Sequence, residues 1–330
     1  MTALSVLDLS PLIGGMTAAE AVRETVAMVQ IAEDLGFHRF WVAEHHSIKA
    51  FGGSAPEILI AAMTQVTKRI RLGSGGVMLP NYSPLKVAEQ FLVLEALAPG
   101  RIDLGIGRAL GADQRTGAAL RSAGSEAFPQ YFALLNAWLL DSAGKEPFPD
   151  RHPAKGIIAQ PRGPSHPDLF LLCTSVDSAI FAGRAGVGMV FAEFIAQTDA
   201  KPAIEAYRAA FTPSPFRDQP WAGVGTSAFA ADTPQEADRL DAPRKVWALA
   251  FLEGRQETFP SLDEAEAVLA RLGDDPRLAE IMRRSIVGDG GHVRKALADK
   301  AAHTGADELF VITYGPTRAD RARSLTLIKG

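Results

Sequence analysis

Short runs of apolar residues alternate along the chain with longer segments in which apolar residues recur every three or four positions. The short runs have the length and composition of buried β-strands, and the longer segments have the period of amphipathic helices. Strands that alternate with helices predict a parallel sheet. Eight strands are predicted, at residues 4–9, 39–43, 70–79, 102–106, 169–172, 187–192, 221–230 and 308–314.

Helix start and stop signals lie between these runs. Thr17 and Glu20 have the spacing of a capping box, valines follow at positions 22, 26 and 29, and Gly36 is placed to end this helix. A Pro- and Gly-rich segment, residues 144–167, predicts a loop. The predicted helical segments are residues 17–36, 54–67, 83–99, 107–140, 175–185, 199–211, 233–304 and 317–327.

Eight strand and helix units predict a (β/α)8 TIM barrel, because parallel strands with right-handed helical returns close into a barrel. The interval between the seventh and eighth strands is too long for one helix, so we predict a helical insertion there. We expect one domain over residues 1–330. A doubly wound open sheet is the structural alternative.

Composition narrows the class of protein. The chain has 330 residues, 47% of them apolar, and a net charge of −4, so it lacks the basic surface that nucleic-acid binding needs. No apolar run is long enough to predict a membrane span. A single cysteine, Cys173, excludes an intrachain disulfide and favours a reducing compartment. Because the N-terminus also lacks the features of a signal peptide, we predict a cytoplasmic protein.

Polar and glycine-rich clusters stand at the ends of four predicted strands. In a (β/α)8 barrel all strand ends of one polarity meet on one face, which carries the active site. The sequence therefore predicts that these clusters form one site. They are Glu44-His45-His46, Ser74-Gly75-Gly76, Gly107-Arg108 and Thr174-Ser175 with Ser178.

The two adjacent histidines are expected to face opposite sides, because successive residues of a strand alternate. One of them can then lie at the barrel mouth and move protons near neutral pH. The alternative is a pair of structural histidines. Neither His nor Cys follows at ligand spacing, so no metal site is predicted.

Gly75 and Gly76 predict a bulge or a close approach of the backbone to a ligand, with a simple turn as the alternative. Arg108 can bind a phosphate or carboxylate, unless it is solvated or paired with an acid. Thr174, Ser175 and Ser178 can supply an anion site at a helix N-terminus, or only an N-cap.

Two neighbours of that loop are given structural roles. Asp177 suits helix capping better than anion binding, because its charge would repel a phosphate. Cys173 is expected to be a small buried apolar residue and not a catalytic thiol.

At these residues the chain resembles the bacterial luciferase-like flavin-dependent monooxygenases, in particular their short single-chain members. The segments that carry the resemblance are LSVLDLSPL (4–12), LGFHRFWVAEHHS (35–47), IRLGSGGVMLPNYSPLKVAEQF (70–91), LAPGRIDLGIGRALGAD (97–113) and GADELFVIT (305–313). Residues 35–113 are its most specific part.

The resemblance implies an FMN site. His45 matches the family's active-site histidine, and Ala43 matches a backbone position near the flavin. The Gly75-Gly76 bond matches a non-proline cis peptide beneath the flavin ring. Arg108 matches the arginine that binds the FMN phosphate. Thr174, Ser175 and Ser178 match its hydroxyl-bearing phosphate loop.

The chain departs from the family at two places. Gly107 stands where the luciferase large subunit has a reactive cysteine, so this chain does not use that thiol. The segment Leu171-Leu-Cys-Thr-Ser175 has no Gly before its hydroxyls, where related chains usually have one.

The resemblance implies a two-component monooxygenase. Such an enzyme takes reduced FMN from a separate NAD(P)H:flavin reductase and uses O2 to oxygenate a small organic substrate. It also implies a homodimer formed through helices early in the barrel. A deazaflavin- or flavin-dependent reductase and a non-catalytic flavin-binding protein remain as alternatives.

Overall fold

A computed structural model describes residues 2–196, 198–273 and 275–330. Its centre is a closed barrel of eight parallel strands, which confirms the predicted TIM barrel and excludes the open sheet. The sheet contains nine strands in all. They are β1 (Ala3–Asp8), β2 (Arg39–Val42), β3 (Arg71–Met78), β4 (Ile102–Gly107), β5 (Asp168–Cys173), β6 (Gly188–Ala192), β7 (Ala222–Ala231), β8 (Ser285–Asp289) and β9 (Glu308–Ile312).

Strand β8 was not predicted. It lies within the insertion, which was expected to be wholly helical, and it pairs with the second half of β7. Ser227 of β7 pairs with both Ser285 and Ile312, so β8 and β9 lie on opposite edges of β7. Strand β8 therefore continues the edge that β6 leaves at Gly225, outside the eight-stranded ring. Five residues between two helical patterns carry too weak a signal to be recognised as a strand.

Most predicted helices are confirmed, with their ends shifted by a few residues. The capping box predicted at Thr17 is present, and Ser261 forms another at the start of a helix in the insertion. The helices are α1 (Ala18–Asp34), α2 (Pro56–Val66), α3 (Pro84–Leu97), α4 (Gln114–Ala119), α5 (Phe128–Ser142), α6 (Val176–Arg184), α7 (Glu193–Ala196), α8 (Lys201–Ala210), α9 (Pro234–Leu240), α10 (Ala242–Leu252), α11 (Leu262–Leu272), α12 (Pro276–Arg283), α13 (Gly290–Thr304) and α14 (Arg318–Lys329), with short 3₁₀ turns at Leu79–Asn81 and Ser125–Ala127.

One predicted helix is wrong. The segment after β4 is not one long helix to residue 140, because the chain turns between α4 and α5. Arg121 and Gly124 both have positive φ angles there, at 55° and 78°, which an α-helix cannot accommodate. The Pro- and Gly-rich segment 144–167 forms turns, bends and irregular backbone, which confirms the predicted loop.

The lower end of the barrel interior, where the strands begin, is closed by a buried ionic layer around Arg39. Its guanidinium donates to Asp103 (Nη1 to Oδ2, 2.8 Å) and to Glu308 (Nε to Oε2, 3.2 Å). Burial alone would lower the pKa of Arg39, but the two carboxylates raise it, so the group stays charged. Trp41 lies above this layer and donates from Nε1 to Asp103 Oδ2 at 2.9 Å.

Glycine makes room for Trp41. A Cβ atom at Gly73 would lie 2.6 Å from the indole Nε1, and one at Gly105 would lie 2.1 Å from the carbonyl oxygen of Ser74. Larger residues cannot occupy these positions without moving the strands. In the described part of the chain, no helix is both long and apolar enough to span a bilayer.

Candidate active site

A cavity of about 520 Å³ opens above Trp41, at the carboxyl ends of the strands. Ligand pockets commonly have volumes of about 300–1,000 Å³. We call it the main cavity. Each of the eight barrel strands contributes at least one residue to it, namely Leu7, Trp41, Gly75, Gly107, Leu172, Val190, Gly225 and Phe310.

The structure brings almost all of the predicted site residues to this cavity. Those that line it are Ala43, His45, Gly75, Arg108, Thr174, Ser175 and Ser178. Gly76 does not line it, since a Cβ atom there would point at the backbone of Gly105, 2.7 Å from its carbonyl oxygen. The Gly75–Gly76 peptide is cis, and the β3–β4 register shifts at this point, so both the cis bond and the bulge are confirmed.

The two adjacent histidines face opposite ways, as their alternation predicts. His45 lines the main cavity, whereas His46 lies within 2.7 Å of the buried carboxylate of Glu44. The same carboxylate accepts hydrogen bonds from the backbone N–H of Met78 (3.0 Å) and the hydroxyl of Tyr82 (2.9 Å). Glu44 thereby fixes the end of β2 against the end of β3 and orients His45 toward the cavity.

His45 is held neutral. Burial, and to a smaller extent the neighbouring His46, lower its pKa from 6.5 to about 4. Its Nδ1 is buried and has no hydrogen-bond partner within the described ranges. Phe51 covers one side of the ring, with 4.9 Å between the ring centroids. An unpartnered buried nitrogen costs free energy unless a ligand satisfies it, so His45 is poised to bond a bound molecule.

Hydroxyl and cationic groups gather where β4 and β5 end. Arg108 is exposed at this edge of the main cavity. Ser175 and Ser178 form a capping box at the N-terminus of α6, in which Ser178 donates to the Ser175 carbonyl oxygen at 2.8 Å. The predicted N-cap role of this segment is therefore confirmed. The capped helix end still presents its positive dipole end to the cavity.

A smaller cavity of about 240 Å³ adjoins this edge, and it contains Asp177 and Cys173. Asp177 does not line the main cavity, so its charge lies to one side of the hydroxyl groups. Burial raises the pKa of the Cys173 thiol to about 12, which keeps it protonated and unreactive. Cys173 thus has the structural role predicted for it, whereas the capping bonds of α6 come from Ser175 and Ser178 and not from Asp177.

Several lining residues were missed. Trp41 and Phe310 form an aromatic floor, with 4.4 Å between their centroids. Trp41 could have been found, because it lies on the same face of the predicted strand 39–43 as Ala43. Ser125 lies in the 3₁₀ turn before α5 and Phe194 lies in α7, two short elements whose approach to the barrel no local pattern reveals.

Gly107 lies beside Met78. A Cβ atom at Gly107 would be 2.7 Å from the Met78 sulfur, so a larger residue there would displace that side chain. Within the described ranges, no cluster of three or more His, Cys, Asp or Glu side chains is arranged to hold a metal ion.

Comparisons of the sequence and the structure with known proteins agree on one family. The sequence profile of luciferase-like monooxygenases matches residues 3–308. The uncharacterized protein YwcH of Bacillus subtilis (strain 168) is 39% identical, over 100% of this chain and 98% of that protein. The N-acetyl-S-alkylcysteine monooxygenase of the same organism is 40% identical, over 82% of this chain and 80% of the relative. The crystal structure of apo-MsnO8 superposes with a TM-score of 0.90 at 37% identity, covering 100% of this chain and 98% of the other.

The lowered pKa of His45 predicts how the flavin-free protein responds to pH. The unfolded chain takes up this proton near pH 6.5 and the folded chain near pH 4, so stability contributed by neutral His45 is lost as the pH falls between these values. We expect the His45 imidazole resonance, assigned by its loss in His45→Asn, to titrate with a midpoint below 5 in NMR spectra. A midpoint of 6 or above would contradict the buried, neutral imidazole.

Proposed function

Because the chain belongs to the luciferase-like monooxygenase family, we propose that it is a two-component monooxygenase that uses reduced FMN and O2 to oxygenate a small organic substrate. A separate NAD(P)H:flavin reductase supplies the reduced FMN. The observation that carries the proposal is the main cavity, which combines an anion-binding edge, an aromatic floor and a neutral histidine.

The residues present fit FMN. The anion-binding edge adjoins the small cavity at Arg108 and Ser178, whereas His45 lies where the main cavity meets a different neighbouring cavity. The cationic and aromatic regions are therefore on separate sides. This arrangement suits an elongated molecule with a phosphate at one end and a flat ring system at the other.

At the phosphate end, Arg108 supplies a planar donor group that matches phosphate geometry. The Thr174 hydroxyl and the N-terminus of α6 add donors and a partial positive charge. At the ring end, Trp41, Phe310 and the bare backbone at Gly75 offer apolar contact surface. A Cβ atom at Gly75 would already lie 2.5 Å from Leu7, so the strand backbone itself forms this part of the wall.

Bound reduced FMN supplies the activation of O2. The chain contributes a largely apolar enclosure, which excludes water from the reacting groups. His45 contributes a neutral imidazole whose unpartnered nitrogen can hold or accept a proton beside the ring. No thiol takes part, since Gly107 replaces cysteine and Cys173 stays protonated.

Reactivity with oxygen separates the alternatives. A deazaflavin-dependent reductase would bind its reduced cofactor without consuming O2. A non-catalytic flavin-binding protein would form no oxygenated product. Chemically reduced FMN, supplied without any reductase, should support oxygenation by this protein in air. Oxygenation only in the presence of a physically bound reductase would contradict the two-component scheme with freely exchanged flavin.

Arg108 should act in binding. We expect the protein to bind FMN at least about tenfold more tightly than riboflavin, since a charge-assisted hydrogen bond contributes about 1.5–3 kcal/mol. Reduced FMN should bind more tightly than oxidised FMN. Arg108→Ala should weaken FMN binding about tenfold, leave riboflavin binding unchanged and change saturated turnover little. Fluorescence titration measures each affinity, with the exposed Arg115→Ala as the control. Equal affinities of the wild type for FMN and riboflavin would contradict the proposed phosphate site.

His45 should act in chemistry. His45→Ala is expected to keep FMN affinity within a few-fold of the wild type. It should lose about 10²–10⁴-fold in oxygenation rate, the usual contribution of a positioned acid or base. The measurement is oxygenated product and hydrogen peroxide per reduced FMN consumed, with His303→Ala as the control. Peroxide should replace product in the variant. Unchanged coupling in His45→Ala would make His45 a structural residue.

We also propose that the protein is a homodimer. Apolar side chains lie exposed on α2 and α3, where Ile58 is 68% and Leu97 51% accessible. Val66 on α2 and Val93 on α3 are also exposed, and the two helices are in contact, so together they offer an apolar surface of the kind found at interfaces. Light scattering should give the mass of two chains at micromolar concentration. Ile58→Lys with Leu97→Lys should give one chain, whereas Ile157→Lys, at an exposed position in the segment before β5, should not. A wild-type monomer would exclude the dimer.

A further inference from the structure

A second cavity of about 250 Å³ adjoins the main cavity. We call it the aromatic chamber. The two cavities share Leu9, His45, Phe194 and Ile195, which form the boundary between them. The rest of the chamber comes mainly from the insertion between β7 and β9, with the loop after β2 and Tyr314 after β9. A molecule in the chamber would therefore reach the main cavity at His45.

The walls of the chamber are aromatic. Trp247 stacks on Phe251, with 5.6 Å between ring centroids, and meets the edge of Phe51 at 5.6 Å. Behind these walls the buried Phe259 stacks on both Trp247 (4.7 Å) and Tyr314 (5.2 Å). Phe51 in turn contacts His45. Such walls fit an aromatic or alicyclic body of a few carbon rings at most.

The chamber also contains hydrogen-bond donors without acceptors. Arg244 donates from Nε and Nη2 to the two carboxylate oxygens of Asp241, both at 2.6 Å. No described residue accepts a hydrogen bond from Arg244 Nη1 or from the Tyr314 hydroxyl, although both side chains are buried. Burial raises the pKa of Tyr314 well above its usual range, so its hydroxyl remains a donor. Arg244 Nη1 and the Tyr314 hydroxyl can therefore each donate a hydrogen bond to a molecule in the chamber.

At the donor end of the chamber the charges are balanced, because Asp241 neutralises Arg244. Arg284, the other lining cation, lies 3.0 Å from Glu280, which also pairs with Arg283. His45 is neutral. A carboxylate placed between Arg244 and Tyr314 would add a negative charge close to the buried Asp241, which already neutralises Arg244, at a high cost in desolvation. A neutral oxygen acceptor would satisfy the donors at no such cost.

We propose that the aromatic chamber binds the substrate, and that Arg244 and Tyr314 select a neutral molecule with an aromatic or alicyclic body and one carbonyl-type oxygen. The carbonyl oxygen accepts from Arg244 Nη1 and the Tyr314 hydroxyl. The ring body lies among the aromatic side chains that line the chamber and extends toward His45. This inference rests on the proposed function for its meaning as a substrate site, but the chamber's selectivity can be measured without flavin.

The test uses flavin-free protein and three probes of one shape. They are 4-phenyl-2-butanone as the neutral ketone, 3-phenylpropanoate as the carboxylate and n-butylbenzene as the hydrocarbon. Ligand-observed NMR and quenching of tryptophan fluorescence give their affinities. We expect the ketone to bind the wild type at least about tenfold more tightly than the carboxylate. Tighter binding of the carboxylate, or no saturable binding of the ketone, would overturn the proposal.

Substitutions at Arg244 and Tyr314 test whether these two donors bind the ketone oxygen. Tyr314→Phe should weaken ketone binding about three- to tenfold, the usual effect of one hydrogen bond, and leave n-butylbenzene unchanged. The pair Asp241→Asn with Arg244→Gln keeps the chamber neutral and should act in the same direction. Tyr131→Phe, which removes a hydroxyl outside the chamber, is the control. Unchanged ketone affinity in both chamber variants would refute the assigned roles, provided that their circular dichroism melts match the wild type.

The same variants separate this inference from the proposed function. FMN affinity should stay within a few-fold of the wild type in Tyr314→Phe, because this residue lines only the chamber. A large loss of FMN affinity would put the flavin in the chamber and overturn the inference. A wild type that selects the ketone but fails to bind FMN would refute the proposed function and leave the chamber's selectivity standing.

Discussion

The barrel depends on one buried cation. Arg39 joins Asp103 of β4 to Glu308 of β9 across the interior, and its guanidinium lies 5.1 Å from the ring centroids of both Phe170 and Trp221. Removing one member of such a buried network leaves an uncompensated charge, which typically costs about 3–5 kcal/mol. The network closes the barrel at its lower end and, through Asp103, fixes the indole of Trp41.

Everything functional is built above that layer. Because Trp41 fills the middle of the barrel, the open space is confined to the end where the strands terminate. Glu44 then decides which histidine enters this space, since its carboxylate engages His46 and the β3 backbone and leaves His45 to the cavity. The ionic layer below the cavity and the hydrogen bonds of Glu44 at the strand ends together hold the site residues in place.

The site divides its tasks between parts of the chain with different origins. The barrel strands and the turns that follow them line the main cavity, which is the proposed flavin site. The insertion after β7 supplies Arg244 and Trp247 of the aromatic chamber. Variation in such an insertion can change the selected substrate without disturbing the barrel, since loops carry function on a scaffold that determines the fold.

The sequence by itself determined the eight barrel strands, most of the helices between them and the clusters at the strand ends, because these depend on local periodicity and turn chemistry. Strand alternation predicted that His45 and His46 face opposite ways, but not which of them faces the cavity. Only the tertiary structure decided that the sheet closes, that β8 joins it, and that Phe51, Arg244 and Tyr314 meet in one chamber. Contacts between residues so far apart leave no periodic signal, because they are set by how the completed elements pack against one another.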